Sequence, residues 1–304
     1  KETNVSVHTV RRIIDDTARL LTIKPLHDLP EHLCFDEFKS VKSSDSNMSF
    51  IICDSTTHKL VDVVRDRKSY SLKKYFHRFE PKTRLKVKTI SIDMYLPYIQ
   101  LIKEMFPNAK IIIDPFHIVQ ALNRELNRTR VRVMNKHRYK DPKLYRKLKH
   151  YWKLILKNPN ELQNYKYNRY KLFESFITSK GIVDYILEKN PSLKNDYEVV
   201  HSLRECIQDR DYIEFKETIE AATQLDLSPG LKRVLKTLMT YLPYIQNTCE
   251  YPTRTNGPIE GINNKIKVLK RNAYGFRNYY HFRNRIILIT KMFGPKQKGI
   301  KQQL

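Results

Sequence analysis

Five short apolar runs, with a change of rhythm after the third, set the strongest limit on how this chain can fold. His32–Lys39, Met48–Asp54 and residues 59–64 are separated only by short polar stretches at 43–47 and 55–58. Connections that short suit antiparallel neighbours, so these runs predict a three-stranded meander. Residues 87–92 and Lys110–Ile113 follow at wider intervals, and helical patterns fill the gaps. Ser69 reads as the cap of a helix to Phe79, with Leu72, Tyr75, Phe76 and Phe79 on one face. A second helix carries Tyr98, Ile99, Ile102 and Phe106. A third continues from Asp114-Pro115-Phe116-His117. This order is α/β, with a mixed five-stranded sheet and helices. Functional side chains of such sheets gather at the carboxyl ends of parallel strands, and Asp93 and Asp114 occupy two such ends.

From about residue 120 to 250 the pattern becomes helical and rich in Lys, Arg and Tyr, with Pro142, Pro159, Pro191 and Pro229 as punctuation. The α/β pattern then resumes. The expected organisation is therefore an α/β domain in two parts, 25–120 and 251–304, interrupted by an all-helical insertion over 121–250. The Tyr–Lys interleaving at 139–151 and 165–170 suits base stacking and phosphate contact, and it equally suits a solvated face.

At the start of the chain, Ser6 is placed to cap a short amphipathic helix that ends before Pro25 and Pro30. Val7, Val10, Ile13 and Ile14 form its apolar side, and His8, Thr9 and Arg12 point outward. The pattern fits the recognition helix of a helix-turn-helix, so residues 1–24 are expected to be the remnant of a DNA-binding domain. An ordinary amphipathic linker helix fits the same residues.

Asn256-Gly257-Pro258 is a helix start, with a polar cap and then Pro in the first turn. Ile259, Ile262, Ile266 and Leu269 recur at core spacing. Glu260 stands off that stripe, with Asn263, Asn264, Lys267, Lys270 and Arg271 on or near its own face and Arg277 beyond. A row of cations suits phosphate. An acid at its head either complements the helix N-terminus or holds a cation against the phosphate. The charge of the whole chain agrees: 57 Lys and Arg against 32 acids leave a net +25, which implies a polyanionic partner such as nucleic acid. No apolar run is long enough for a membrane span. Cys34, Cys53, Cys206 and Cys249 are far apart and lack zinc or disulfide spacing, as expected of a protein in a reducing cytosol.

Three acids qualify for metal chemistry by position: Asp36 on the first strand, Asp93 after the fourth, and Glu260 on the later helix. Two carboxylates on neighbouring strands and one on an adjacent helix form an all-oxygen site for Mg2+ or Mn2+, with room for two ions. Asp114 is a secondary candidate for the second ligand, and His117 for a positioning or DNA contact. Each also has a structural alternative as a strand end, a helix cap or a buried histidine.

Four stretches carry a family resemblance: Phe35-Asp36-Glu37-Phe38, Ser91-Ile92-Asp93-Met94-Tyr95, Asp114-Pro115-Phe116-His117-Ile118-Val119, and Asn256-Gly257-Pro258-Ile259-Glu260-Gly261 through Lys267 to Phe282. Through these the chain resembles the catalytic part of the ISL-three family of bacterial insertion-sequence transposases. The resemblance implies an RNase H-like fold and an Asp-Asp-Glu site at Asp36, Asp93 and Glu260. It also implies metal-dependent cleavage of double-stranded DNA at transposon ends, with transfer of the freed 3′ hydroxyl into target DNA. A homodimer on DNA and a bacterial, nucleoid-associated location go with it. The family's cysteine-bearing segment has no counterpart here, so the chain is expected to be an N-terminally truncated piece. A nuclease without strand transfer and a non-catalytic repressor derived from a transposase are the alternative functions.

Overall fold

The computed structural model describes residues 4–21, 28–41 and 47–292. The expected helix stop at Pro25 and most of the turn at 43–47 lie outside the described residues. The chain divides into two compact units, one drawn from residues up to Asp114 and from Thr253 onward, the other from Pro115–Pro252.

In the first unit, helix α1 (Val7–Leu21) precedes strands β1 (His32–Lys39), β2 (Met48–Asp54) and β3 (Leu60–Val64). Helices α2 (Ser69–Phe76) and α3 (Pro81–Leu85), strand β4 (Thr89–Ile92), helix α4 (Leu96–Met105) and strand β5 (Lys110–Ile113) follow. The sheet order is β3-β2-β1-β4-β5. β1–β2 and β2–β3 are antiparallel; β1–β4 and β4–β5 are parallel. The architecture is mixed α/β with a five-stranded mixed sheet, as an RNase H-like fold requires.

The second unit is helical: α5 (Pro115–Lys140), α6 (Pro142–His150), α7 (Trp152–Leu156), α8 (Ser179–Glu188), α9 (Pro191–Asp209), α10 (Tyr212–Ala222) and α11 (Pro229–Glu250). A buried polar knot ties three of these together. Asp196 on α9 accepts from Thr129 Oγ1 on α5 (2.7 Å) and from the Ser228 N–H that opens α11 (2.9 Å). The Tyr–Lys interleaving splits by environment. Tyr139, Tyr165 and Tyr167 are exposed, while the Lys147 ammonium lies 4.3 Å from the ring centres of Phe173 and Tyr185.

The chain then returns to the first unit as α12 (Gly257–Asn272) and α13 (Tyr279–Lys291). Alternation along β1 decides what they cover. Cys34 and Phe38 face a core with Ile51, Cys53, Leu60 and Val63, and onto it pack Ile259, Ile262 and Ile266 of α12 and Phe282 and Ile286 of α13. Each such aliphatic side chain contributes roughly 1.5–3 kcal/mol by burial. Phe35 projects to the opposite face, where it meets Phe50, Phe76 and Phe106. No described helix is long and apolar enough to cross a membrane.

Three local expectations change. Ser69 is the first residue of α2 rather than its cap, and α2 ends at Phe76. The polar entry comes instead from Asp66, which accepts from the Lys68 N–H and from Ser71 Oγ. Ser6 does cap α1, accepting the Thr9 N–H at 3.1 Å, but the helix buries a different side. Val7, Val10 and Ile13 are exposed and Ala18 is buried. α1 packs on α13, where Asn284 donates to Asp15 and Lys291 to the Leu21 carbonyl. Ile14 of the expected stripe is half-buried, and Leu21 packs against the core below the sheet.

Candidate active site

The register of the parallel strands brings the acids to one level. β1 pairs with β4 at a constant offset of 57 residues: His32 with Thr89, Leu33 with Ile90, Cys34 with Ser91. Continued two residues, on the same face, the offset sets Asp36 beside Asp93. β4 pairs with β5 at an offset of 21, ending at Ile92 with Ile113, and the Asp114 N–H extends the ladder to the Ile92 carbonyl (3.0 Å). Asp114 therefore follows Asp93 on the next strand. Carboxylate oxygens of Asp93 and Asp114 lie within 4.8 Å of each other. Asp36 and Asp93 are half-buried and Asp114 is buried. His117 occupies the first turn of α5, in the second unit, half-buried with its ring edge-on to Phe116.

Helix α12 is fastened to two of these acids by amides. Asn256 Nδ2 donates to Asp93 Oδ1 (3.1 Å) and to the Phe35 carbonyl (3.3 Å). Asn263 Nδ2 donates to Asp36 Oδ2 (2.8 Å), while the Glu37 N–H holds Asp36 Oδ1 (2.6 Å). Glu260 falls between the two asparagines, four residues after one and three before the other, on the same side of the helix. Its side chain is exposed. Among the described residues, its carboxylate is not gathered to within 4.8 Å of both aspartates. The donor set is all carboxylate and amide oxygen, the kind that hard divalent cations take. Asn256 Oδ1 and Asn263 Oδ1 are buried and find no hydrogen-bond partner among the described residues.

The cations sort into two groups. Asn264, Lys267, Arg271 and Arg277 are exposed, as are His8 and Arg12 on α1, where Thr9 is half-buried. Arg11 and Arg277 line one groove together with Val10 and Phe276, so α1 and the α12–α13 turn share a surface. Lys270 is turned inward: its ammonium donates to the carbonyls of Lys39 (2.9 Å) and Ser40 (3.0 Å), and burial lowers its pKa. Arg283 is likewise engaged, ion-paired with Asp62 and bonded through Nε to the Val63 carbonyl (3.0 Å).

Sequence comparisons identify the family. The model of a family described as transposase, of the ISL-three type, matches residues 33–286. The chain belongs to that family. The transposase for insertion sequence element IS1001 from Bordetella parapertussis is 27% identical over 280 residues, 90% of this chain and 64% of that protein. A Lactococcus lactis subsp. lactis protein named ATP-dependent protease is 36% identical over 130 residues, 43% of this chain and 40% of that one. The chain thus spans less than two thirds of either relative. None of the seven glycines in these residues precedes a lysine, so no GKS/T phosphate-binding loop lies within them. No solved structure matches.

Sequence reasoning passed over the roles of Asn256 and Asn263. Their spacing about Glu260 was visible, but the strand acids they reach are 163 and 227 residues away.

Proposed function

We propose that this chain is the catalytic part of a transposase that cuts DNA at transposon ends and joins the freed 3′ hydroxyl to target DNA. Asp36, Asp93 and Glu260 hold Mg2+ or Mn2+, with Asp114 beside Asp93 supporting the second position. The carrying observation is the shared register of Asp36 and Asp93, with α12 bonded to both. One or two bound cations would supply activation of the attacking oxygen and charge stabilisation at the scissile phosphate. The chain's residues do the rest. The strand ends fix two carboxylates, and Glu260, on an exposed first turn with a rotamer-rich side chain, completes the set. Lys267, Arg271 and Arg277 hold flanking phosphates, with His8 and Arg12 extending that surface. Lys270 and Arg283 are left out of the DNA contacts because their charged groups are turned onto protein carbonyls and, for Arg283, onto Asp62. In the first step water adds to phosphorus and the 3′ oxygen leaves as a hydroxyl. The first step thus hydrolyses one phosphodiester and leaves a 5′ phosphate end; in the second the 3′ hydroxyl displaces a 3′ oxygen of the target strand, exchanging one phosphodiester for another without consuming a nucleotide. Two copies, one per end, would hold the paired ends.

The test is cleavage and joining by purified protein, using duplexes that carry the element's terminal repeats, a plasmid target and Mn2+. Asp36→Asn, Asp93→Asn and Glu260→Gln are expected to lose both products while keeping DNA affinity. Cleavage without joined product would leave a nuclease. Wild-type activity in any one of the three would remove that residue from the site.

A further inference from the structure

The residue that begins α12 does not cap it. Asn256 stands at the N-cap, a position where its side chain ordinarily accepts an N–H of the first turn and contributes about 1 kcal/mol. No such bond is made. The Thr255 hydroxyl accepts the Gly257 N–H instead, at 3.3 Å. The Asn256 side chain, 5% exposed, is turned into the sheet, where one amide nitrogen bridges the Phe35 carbonyl and the Asp93 carboxylate. Seven residues on, the Asn263 amide nitrogen donates to the Asp36 carboxylate. Both amides leave their oxygens buried and unpartnered among the described residues. A buried acceptor without a donor costs roughly 1–3 kcal/mol. Two such costs on one helix, each beside a different strand carboxylate, mark the amides as retained for something other than stability.

We propose that Asn256 and Asn263 are positioning residues for the acid site, an inference that rests on the metal-site reading above. Each N–H fixes the rotamer of one aspartate without adding charge, and each oxygen offers an acceptor to the hydration shell of a bound cation. Because the two amides bracket Glu260, the same pair of bonds also sets the height of that residue against the strand ends. An amide suits this task better than its isosteres. A carboxylate could not donate to Asp36 or Asp93, and an aliphatic side chain could do neither job. Supporting partners of this kind typically change metal affinity or activity by 10–100-fold when removed.

The experiment uses Asn263→Leu and Asn256→Leu, close in volume to the native residue, with Asn263→Ser as a smaller variant that keeps a donor. Mn2+ binding is followed by electron paramagnetic resonance of the free ion, and the Mn2+ dependence of cleavage is measured alongside. Hydrogen exchange over β1 and β4 checks that the sheet is intact. The expected result is a 10–100-fold rise in the Mn2+ needed for half-maximal cleavage, a matching loss in direct Mn2+ binding, and a smaller change in the rate at saturating Mn2+. Asn263→Ser should fall between Leu and wild type. Wild-type Mn2+ dependence in both Leu variants, or a loss of rate with unchanged Mn2+ binding, overturns the proposal while leaving the metal site standing. If wild-type protein and Asp36→Asn bind Mn2+ equally, the metal-site reading fails, and this inference falls with it. Should a Leu variant expose β1 to exchange, Asn263→Ser decides alone: equality with wild type in Mn2+ dependence refutes the role of a full amide.

Discussion

Arg283 tests whether the positive run on the last two helices serves DNA or the fold. Its guanidinium is paired with Asp62, whose side chain is 7% exposed, and its Nε holds the Val63 carbonyl, which also accepts from Tyr279 Oη at 2.9 Å. Arg283→Leu keeps apolar volume and deletes the charge. Asp62 then retains Tyr75 Oη (3.0 Å) and its neighbouring Val63 N–H (2.7 Å), both neutral donors. Leaving one charge of a buried pair uncompensated costs about 3–5 kcal/mol. Lys291 lies close enough for Asp62 to raise its pKa, against a larger lowering by burial, so a second cation cushions the loss toward the low end. About 3 kcal/mol corresponds to roughly 150-fold faster amide exchange for sites that open with the whole unit. Trp152 is the single Trp and sits in the helical unit, so its fluorescence would report the wrong half. Hydrogen exchange read by mass spectrometry over β1, β2 and β3 is therefore the assay, with the α9 peptides as an internal control. The double variant Asp62→Asn with Arg283→Leu is expected to recover most of the loss, because no uncompensated carboxylate remains buried at that position. Exchange in the single variant within about fivefold of wild type would refute the reasoning. So would a double variant no better than the single.

Two other outcomes follow. Neutralising Lys267 and Arg271 together is expected to weaken binding to specific and unrelated duplexes alike, and to flatten the slope of log affinity on log salt by about 0.9 per lost contact; an unchanged slope would take DNA off this helix face. Burial, with Arg204 nearby, pushes the His201 pKa down to about 4, while the Ile155 carbonyl opposes it. The unfolded chain therefore takes up the proton first. This contribution is complete above about pH 6.5 and is lost as pH falls toward 4, by up to roughly 3 kcal/mol. Urea midpoints read from Trp152 should fall across that window in wild type and fall less in His201→Gln; parallel curves would contradict the assignment.

The strands were legible because short alternating or continuous apolar runs have few other uses, and all five appear within two residues of their expected starts. Their order followed from connection lengths. Register was not legible, because nothing local to β1 or β4 states an offset of 57. That offset converts two separate acids into neighbours. Asn256 was read as a cap, since Asn is a good cap, but a carboxylate 163 residues earlier in the chain competed for the same side chain and took it. Arg283 lies in the same basic stretch of sequence as Arg277, and only Asp62 of β3, 221 residues earlier, sets it apart. α1 was legible only in part: Ile14 of its apolar stripe turns inward with Ala18 and Leu21, while Val7, Val10 and Ile13 stay exposed.

The helical unit, residues 115–252, is translated between the sheet and the helices that cover it. At roughly 5–20 residues per second this delay is on the order of ten to thirty seconds. During that interval Cys34, Phe38, Ile51, Cys53, Leu60 and Val63 have emerged from the ribosome without Ile259, Ile266 or Phe282 to close over them. The nascent sheet is thus a chaperone client by construction. On the site proposed above, a chain released early by a stalled ribosome would carry both aspartates without Glu260, and so would lack the third acid.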